Sequence, residues 1–380
     1  MPDKRVRVFA TADIGREAFN RLQELGYEVE VHSDTEPPAK PLILERVRSG
    51  IDALITTLRD PIDEAVFAAG AGTLRIVAQI AVGFDNIDRE AANRYGIPFS
   101  NTADVLTEAT AEFAFFIMGA VSRKLYSSEK LVESGEWRSW HPYYPFLGDD
   151  VTGKTVAVIG TGRIGKAFAK KCVGLDTDLL LYDPAARDEK FVDYAAREME
   201  LRWNAEFSPK RRTVSYVSFA EALEKADYVS LHVPLLMPGG SEMPTFHLMN
   251  EAAFKRMKPT AYLINTSRGP VVDEHALYEA LINEEIAGAA LDVYEKEPLP
   301  ADSQLRDPRL KDRLRLFHHF ASGTRETRLS SDPQIGMAGR TVQAVIDVIE
   351  GRYDGDPAKM PYVVNKEAFG EERRGDTEKG

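Results

Sequence analysis

The stretch TVAVIGTGRIG, residues 155–165, decides how this chain folds. Residues 155–159 form a largely apolar run, as expected of a strand that helices cover on both faces. Gly160, Gly162 and Gly165 follow, with Arg163 and Ile164 between the last two, and the pattern after them predicts a helix over residues 166–172. The first glycine permits a tight turn, the second lets a ligand approach the backbone, and the third lets the helix pack on the strand. The order of strand, glycine turn and helix predicts a phosphate-binding site, because N–H groups and the helix dipole favour anions there.

An acidic residue follows this turn at the distance expected in a dinucleotide-binding fold. The apolar run LLLYD ends in Asp183, 18 residues after Gly165. A carboxylate there accepts hydrogen bonds from the adenosine ribose hydroxyls and repels the 2′-phosphate of NADP. The pattern therefore indicates NAD, bound by the glycine turn and by Asp183. Two alternatives stay open: Asp183 can be a turn residue before Pro184, and the nearby Arg187 leaves NADP as a second cofactor.

Strand-like and helical segments alternate on both sides of the glycine turn. Such alternation is typical of parallel, doubly wound sheets. Upstream the strand-like runs are residues 5–10, 27–32, 51–56, 74–80 and 97–99; downstream they are residues 179–182, 228–232, 261–265, 289–293 and 315–317. We therefore expect an α/β protein with two doubly wound parallel-sheet domains and a cleft between them.

Three segments stand outside this alternation. Residues 107–134 read as one long helical stretch, and residues 135–148, GEWRSWHPYYPFLG, are aromatic and irregular. An irregular stretch of this kind in a compact enzyme usually has a function or forms an intersubunit arm. Residues 188–216 are charged, partly helical and longer than a strand–helix connection needs, and we interpret them as an insertion.

Composition excludes several classes of protein. A net charge of −12 argues against binding the phosphate backbone of nucleic acids and against docking on anionic membranes. No apolar run reaches the ~18–20 residues of a membrane span, and the amino terminus lacks the apolar core of a signal peptide. The single cysteine, Cys172, fits a buried thiol in a reducing cytoplasm, where we expect the protein. The histidines show no metal-ligand spacing, so no metal site is expected.

Three further blocks make the sequence specific. They read NTSRGPVVD at residues 265–273, GAALDVYEKEP at 288–298 and HFASGT at 319–324. Together with the glycine turn they resemble the D-isomer-specific 2-hydroxyacid dehydrogenase family over nearly the whole chain. The segments VGFDNID at 82–88, NTADVLTEATAEFAF at 101–115 and GEWRSWHPYYPFLG at 135–148 are most similar to its glyoxylate/hydroxypyruvate reductase branch.

The resemblance implies an architecture and an activity. It implies a flavodoxin-like substrate domain, residues 1–103 plus 320–380, and a Rossmann NAD-binding domain, residues 104–319, joined by hinges near Ala103 and Phe320. It also implies a homodimer with an arm at about 107–150. The expected reaction is NADH-dependent reduction of a small 2-keto acid, such as glyoxylate or hydroxypyruvate, to a D-2-hydroxy acid.

Arg268 is the expected anion-binding residue of the reaction. It directly follows an apolar strand, at the carboxyl end where open α/β sheets bind ligands. A planar guanidinium can hold a carboxylate and a keto oxygen together. A surface ion pair is the alternative for a lone arginine, but the family's substrate-binding arginine falls on this position.

His319 is the expected proton donor, with Glu297 as its partner. Reduction turns the carbonyl oxygen into an alkoxide-like centre, and histidine titrates near neutral pH. The family's carboxylate lies 29 residues after its arginine, which selects Glu297 over Glu295 here. Where the family commonly has Pro-His, this chain has His318-His319. Side chains of successive extended residues point to opposite sides, so one histidine faces the cleft. The resemblance selects His319, because Ala321 and Thr324 keep their family spacing from it.

The remaining site residues are assigned by resemblance. The backbone amides of Val82 and Gly83 would bind the substrate carboxylate, with an ordinary turn glycine as the alternative for Gly83. Trp140 on the arm would reach a partner's substrate site, with simple packing as the alternative for this aromatic side chain. Further dinucleotide contacts would come from Thr110, Val233, Pro234, Thr266, Ser267, Asp292 and Ala321.

Two rival functions remain at this point. One is an enzyme like D-3-phosphoglycerate dehydrogenase, although no regulatory domain and no second basic cluster are visible. The other is a non-catalytic NAD-sensing regulator on the same fold, against which the set Arg268, Glu297 and His319 argues.

Overall fold

A computed structural model describes residues 5–143, 145–185 and 187–369 of the chain. Within these residues the strands are β1 (Arg7–Ala10), β2 (Glu28–Val31), β3 (Ala53–Thr56), β4 (Ile76–Gln79), β5 (Phe99–Ser100), β6 (Thr155–Ile159), β7 (Asp178–Tyr182), β8 (Val214–Tyr216), β9 (Tyr228–Leu231), β10 (Tyr262–Asn265), β11 (Gly288–Leu291) and β12 (Leu314–Leu316). The helices are α1 (Arg16–Glu24), α2 (Lys40–Arg48), α3 (Glu64–Gly70), α4 (Arg89–Tyr95), α5 (Thr107–Ser122), α6 (Leu125–Glu133), α7 (Arg163–Val173), α8 (Glu189–Asn204), α9 (Phe219–Lys225), α10 (Glu251–Phe254), α11 (Glu274–Ile282), α12 (Arg325–Leu329) and α13 (Met337–Ile349).

The chain divides into two compact units. One is Met1–Leu106 with Gly323–Gly380, and the other is Thr107–Ser322. The division falls three residues beyond each boundary expected from the sequence, 103 and 319. The roles of the two units in binding substrate and cofactor stay a prediction.

The first unit is a five-stranded parallel sheet in the order β2-β1-β3-β4-β5. This is the flavodoxin-like order of a doubly wound sheet. One face packs against α1 and α13 around Phe19, Leu22 and Val345, and the other packs against α2, α3 and α4 around Val47 and Phe67. Because helices cover both faces, the middle strands β3 and β4 are buried along their whole length.

The second unit is a seven-stranded parallel sheet in the order β12-β11-β10-β9-β6-β7-β8. Counted from β6, this is the Rossmann order 3-2-1-4-5-6 with one more strand beyond the sixth. The order reverses between β6 and β9, and ligands bind outside the carboxyl ends of strands at such a reversal. The expected α/β class with two doubly wound parallel sheets is confirmed.

Two sequence expectations need correction. The helical stretch 107–134 is two helices, because Lys124 adopts a left-handed conformation, φ 52°, between α5 and α6. The segment 188–216 is not wholly an insertion: it contains α8, and its last residues form β8, the edge strand of the second sheet. Tyr216 at the end of β8 pairs with Leu181 of β7. A three-residue edge strand has too little hydrophobic alternation to stand out in the sequence.

None of the helices in the described part of the chain has both the length and the apolar character needed to cross a bilayer. In the same residues, no cluster of three or more His, Cys, Asp or Glu side chains could hold a metal ion.

Candidate active site

The glycine turn joins β6 to α7 and has room for a ligand on one side only. A Cβ on Gly160, whose φ is 94°, would lie 2.7 Å from the backbone of His232, and a Cβ on Gly165 would lie 2.0 Å from the carbonyl oxygen of Gly160. A Cβ on Gly162 would meet nothing within 4 Å. The first and third glycines are therefore required by packing, whereas the second faces open space. Such a turn at a helix start fits the pyrophosphate of a dinucleotide.

Asp183 follows β7 and lies directly beside this turn. Its Oδ2 accepts hydrogen bonds from the backbone N–H and the hydroxyl of Thr161, at 2.7 and 3.2 Å. Its Oδ1 accepts from the N–H of Ala185 at 3.0 Å. The carboxylate is thus held at the carboxyl edge of the sheet, where an adenosine ribose would lie.

Further predicted dinucleotide contacts lie along the same edge. Val233 and Pro234 follow β9, Thr266 and Ser267 follow β10, and Thr110 lies in the first turns of α5. In the described part of the chain, the Thr266 hydroxyl is buried and makes no hydrogen bond. Because an unpaired buried hydroxyl is costly, a ligand that supplies the missing partner fits this place.

Arg268 leaves the end of β10 in an extended conformation, φ −140°. The fully buried side chain of Asn265 donates to the Arg268 carbonyl at 2.9 Å, and the Arg268 guanidinium donates to the carbonyl of Ser267 at 2.7 Å. The next residue, Gly269, lies against the backbone of Tyr294, where a Cβ would come within 1.8 Å of the carbonyl carbon. The loop that carries Arg268 is therefore packed tightly on the loop that leads to Glu297.

His319 and Glu297 form a hydrogen bond of 2.8 Å between Nδ1 and Oε2. Both side chains are about one-third exposed. Burial raises the pKa of Glu297, but the hydrogen bond and charge of His319, the N–H of Tyr294 and the charge of Arg268 outweigh it, so this pKa lies below its usual value. Because an ionised carboxylate only accepts hydrogen bonds, Nδ1 donates to it, and the proton exchanged with a substrate must be on Nε2.

The backbone of the histidine turn is held by Asp292, which follows β11. Its carbonyl accepts from the N–H of His319 at 2.8 Å, and its carboxylate accepts from those of Phe320 and Ala321 at 2.7 and 2.8 Å. The side chain is fully buried, and this burial raises the pKa of Asp292 against the opposing effect of the two N–H groups. Three consecutive residues are thereby fixed by one aspartate.

Comparison with known proteins agrees with this geometry. The profile of the family described as "D-isomer specific 2-hydroxyacid dehydrogenase, NAD binding domain" matches residues 115–319. The chain belongs to the D-isomer specific 2-hydroxyacid dehydrogenase family. It is accordingly an NAD-dependent oxidoreductase that acts on the CH–OH group of its donors.

Curated relatives of this dehydrogenase carry the name glyoxylate reductase. That of Korarchaeum cryptofilum is 44% identical over 324 residues, which are 85% of this chain and 88% of the relative. That of Thermococcus litoralis is 37% identical over 367 residues, 96% of this chain and 98% of the relative. Among solved structures, the TT0316 protein of Thermus thermophilus is 34% identical, with a TM-score of 0.78 over 94% of this chain and 100% of that one.

In the first unit of the dehydrogenase, the loop after β4 has three consecutive carbonyls engaged. Those of Ala81, Val82 and Gly83 accept hydrogen bonds from the Thr102 N–H, the Asn101 Nδ2 and the Gln79 Nε2, at 2.9, 2.8 and 2.6 Å. In a trans peptide the N–H points opposite to the C=O. The N–H groups of Val82, Gly83 and Phe84 therefore point away from these donors, as an anion-binding loop requires.

The neighbours of the predicted catalytic residues have other contacts. The His318 ring stacks on Phe320, with ring centroids 5.0 Å apart. Glu295 accepts from His247 at 3.1 Å and from the N–H of Glu274, at the start of α11. Trp140 lies on an exposed segment and is 80% exposed in the single chain.

Several positioning contacts escaped the sequence analysis. Asn265, Gln79 and Asn101 orient predicted site loops through their side-chain amides, and Asp292 holds the turn of His319. Asn265 and Gln79 could have been found in the sequence, because each is a polar residue at the end of a buried strand. The partner of each cannot be read from the sequence, because it depends on how strand ends meet.

Proposed function

We propose that this dehydrogenase reduces a small 2-keto acid, such as glyoxylate or hydroxypyruvate, to the D-2-hydroxy acid. The observation that carries the proposal is the 2.8 Å pair of His319 and Glu297 in the same unit as the glycine turn. The names of the relatives support glyoxylate as the substrate class. In this proposal residues 104–319 bind NAD, and residues 1–103 with 320–380 bind the substrate.

His319 is the general acid of the proposed reaction. NADH, when bound, supplies the hydride that reduces the keto carbon. As the carbonyl oxygen gains negative charge, the Nε2 of His319 gives it a proton. Glu297, ionised because its pKa is lowered, stabilises the positive charge on the imidazole and fixes the ring through Nδ1.

Arg268 and the 81–84 loop are proposed to hold the substrate. The guanidinium of Arg268 would bind the carboxylate and the keto oxygen. The N–H groups of Val82 and Gly83 would bind the carboxylate, and the geometry of their carbonyls supports this assignment. The guanidinium of Arg268 and these N–H groups would give a protein of net negative charge a local binding site for an anionic substrate.

NAD is the proposed physiological cofactor rather than NADP. Asp183 would accept from the ribose hydroxyls and repel a 2′-phosphate. Its two hydrogen bonds from Thr161 hold the carboxylate beside the glycine turn and support this role. Asp292, Ala321 and the buried hydroxyl of Thr266 are proposed to lie at the dinucleotide.

The proposed enzyme is a cytoplasmic homodimer. None of the residues of α6 is buried, and Trp137, Trp140 and Tyr143 are 58%, 80% and 69% exposed. Exposed aromatic side chains in such number favour an interface with another chain. The single thiol, Cys172, is fully buried, which fits a reducing compartment.

NADH oxidation, followed at 340 nm, tests the function. The purified enzyme is offered glyoxylate, hydroxypyruvate and pyruvate at equal concentrations, with NADH and then with NADPH. We expect oxidation of NADH with at least one of these acids and a much lower rate with NADPH. NADH binding with no oxidation by any keto acid would overturn the proposal in favour of a non-catalytic regulator.

A further inference from the structure

Tyr216 lies where the last strand of the segment 188–216 reaches the cofactor turn. It is the final residue of β8, and it pairs with Leu181 of β7, two residues before Asp183. Its hydroxyl oxygen lies 2.8 Å from the Thr161 hydroxyl, and it accepts a hydrogen bond from the Asp188 N–H at 3.0 Å. The segment thus brings a phenol into contact with the turn that binds the dinucleotide.

The direction of these hydrogen bonds follows from the number of hydrogens. A carboxylate at neutral pH only accepts, so the Thr161 hydroxyl donates its one hydrogen to Asp183, 3.2 Å away. The same hydroxyl must then accept from its other neighbour. Tyr216 accepts from Asp188 and has its own hydrogen left to donate. The chain of bonds therefore runs from Tyr216 through Thr161 to Asp183.

Tyr216 also holds the cation nearest to Asp183 in the sequence. The guanidinium of Arg187 lies over the Tyr216 ring, 5.7 Å from its centroid. A cation at this distance from an aromatic face is attracted to it. Arg187 is the group of this turn that could serve a 2′-phosphate, and the ring gives it another partner.

We propose that Tyr216 is a positioning residue that sets the preference of this enzyme for NADH over NADPH. Through Thr161 it orients the Asp183 carboxylate toward the ribose hydroxyls, and through its ring it holds Arg187 away from a phosphate-binding role. Hydrogen bonds that point along one chain strengthen each other, so the loss of the phenol hydroxyl weakens the whole chain. The inference rests on the proposed role of Asp183.

The test compares Tyr216→Phe with Thr161→Val and with the double variant. In the full-length enzyme, Tyr216→Phe should raise the KM for NADH about three- to tenfold, the range of one hydrogen bond. The kcat and the KM for the keto acid should stay within about twofold, as should the KM for NADPH. Because Tyr216 acts through Thr161, the double variant should be no worse than Thr161→Val alone.

Two conservative variants complete the set. Thr161→Ser keeps the hydroxyl and should retain the wild-type KM for NADH. Tyr194→Phe changes a tyrosine of α8 that is 47% exposed, and it should change neither cofactor constant. The melting temperature and the NADH dissociation constant, measured by fluorescence, show whether a variant is folded and binds.

The outcomes separate this inference from the proposed function. Three results would each overturn the role of Tyr216. The KM for NADH could be unchanged in Tyr216→Phe, or the KM values for NADH and NADPH could rise equally. In the double variant, the rise in the KM for NADH could be the product of the rises in the two single variants. If Asp183→Ala leaves NADH binding unchanged, the role of Asp183 itself is wrong. If Asp183→Ala weakens NADH binding and Tyr216→Phe does not, the inference alone fails.

Discussion

At the scale of single residues, the site depends on how one histidine is held. His319 has φ 56°, a left-handed conformation that costs a residue with a Cβ about 1 kcal/mol. The carbonyl and carboxylate of Asp292 bind the N–H groups of residues 319–321, and these bonds offset that cost. The imidazole can then form its hydrogen bond with Glu297 at a small further cost in conformational entropy.

The role of His319 is tested by His319→Ala, which should lower kcat for keto-acid reduction at least ~100-fold, the low end for general acid catalysis. NADH binding, measured by fluorescence, should stay within about twofold, because the predicted dinucleotide contacts come from other residues. Turnover at the wild-type rate would show that another group donates the proton.

Glu297→Gln should change the pH dependence of reduction. The lowered pKa of Glu297 keeps it ionised at neutral pH, where it stabilises the protonated imidazole. In the wild type, kcat should decline as the pH falls through the lowered pKa of Glu297, because protonation removes that charge; Glu297→Gln should lack this decline and have a lower kcat at neutral pH. Glu295→Gln, two residues earlier on the same loop, is the control and should keep the wild-type profile. An identical profile in both variants would count against the pair.

At the scale of elements, the loops of the site are held by the ends of strands. Gln79 ends β4 and donates to the Gly83 carbonyl, while its own Oε1 accepts from Thr56 in β3. Asn265 ends β10 and binds the carbonyl of Arg268. In a doubly wound sheet the carboxyl ends of parallel strands lie at one edge, so short amide side chains there can fix loops that carry ligand-binding groups.

Gln79→Leu removes the donor to Gly83 while keeping a similar volume. The loop should lose its fixed N–H direction, and the KM for the keto acid should rise about three- to thirtyfold with the KM for NADH unchanged. Ser100→Ala on the neighbouring strand β5 is the control, because the buried Ser100 hydroxyl has no hydrogen-bond partner in the described residues. Steady-state kinetics that show equal changes in both KM values would mean that Gln79 only stabilises the fold.

Gly269→Ala tests the contact between the loops that carry the predicted catalytic residues Arg268 and Glu297. A Cβ there would lie 1.8 Å from the carbonyl carbon of Tyr294, so the loops that carry Arg268 and Glu297 must separate. We expect a loss of about 1–3 kcal/mol in the free energy of unfolding and a fall in kcat/KM of at least ~100-fold. Gly119→Ala in α5, where a Cβ meets nothing within 4 Å, should be neutral or stabilising by up to ~1 kcal/mol. Both quantities are measured, by thermal unfolding and by steady-state kinetics. Wild-type values of the unfolding free energy and of kcat/KM in Gly269→Ala would contradict the packing.

At the scale of the whole molecule, two sheets of different order carry different parts of the predicted site. The five-stranded sheet carries the loop at 81–84, and the seven-stranded sheet carries the glycine turn and the pair of His319 and Glu297. The helix α6 and the residues that follow it leave large apolar side chains exposed. A monomer rarely presents so many exposed aromatic side chains close together in sequence.

Sedimentation equilibrium should find a dimer. Trp137→Ser combined with Trp140→Ser should weaken the dimer at least ~10-fold, because burying an aromatic side chain contributes about 1.5–3 kcal/mol. Tyr194→Ser changes a 47% exposed tyrosine of α8, outside this segment, and should leave the mass unchanged. A wild-type monomer at micromolar concentration would refute the proposed homodimer.

The sequence by itself determined the two parallel sheets, because each strand and helix depends on a hydrophobic period and on glycines that act within a few residues. It also singled out Asp183, Arg268, Glu297 and His319, because each follows an apolar strand or a recognisable block. Only the tertiary structure decided that Asp292 binds the N–H groups of residues 319–321 and so holds His319 in its left-handed conformation. It likewise decided that Tyr216 reaches Thr161 across 55 positions of sequence. Such contacts depend on which strand ends lie side by side at the sheet edge. A local sequence pattern does not predict that two residues far apart in the sequence lie close together in space.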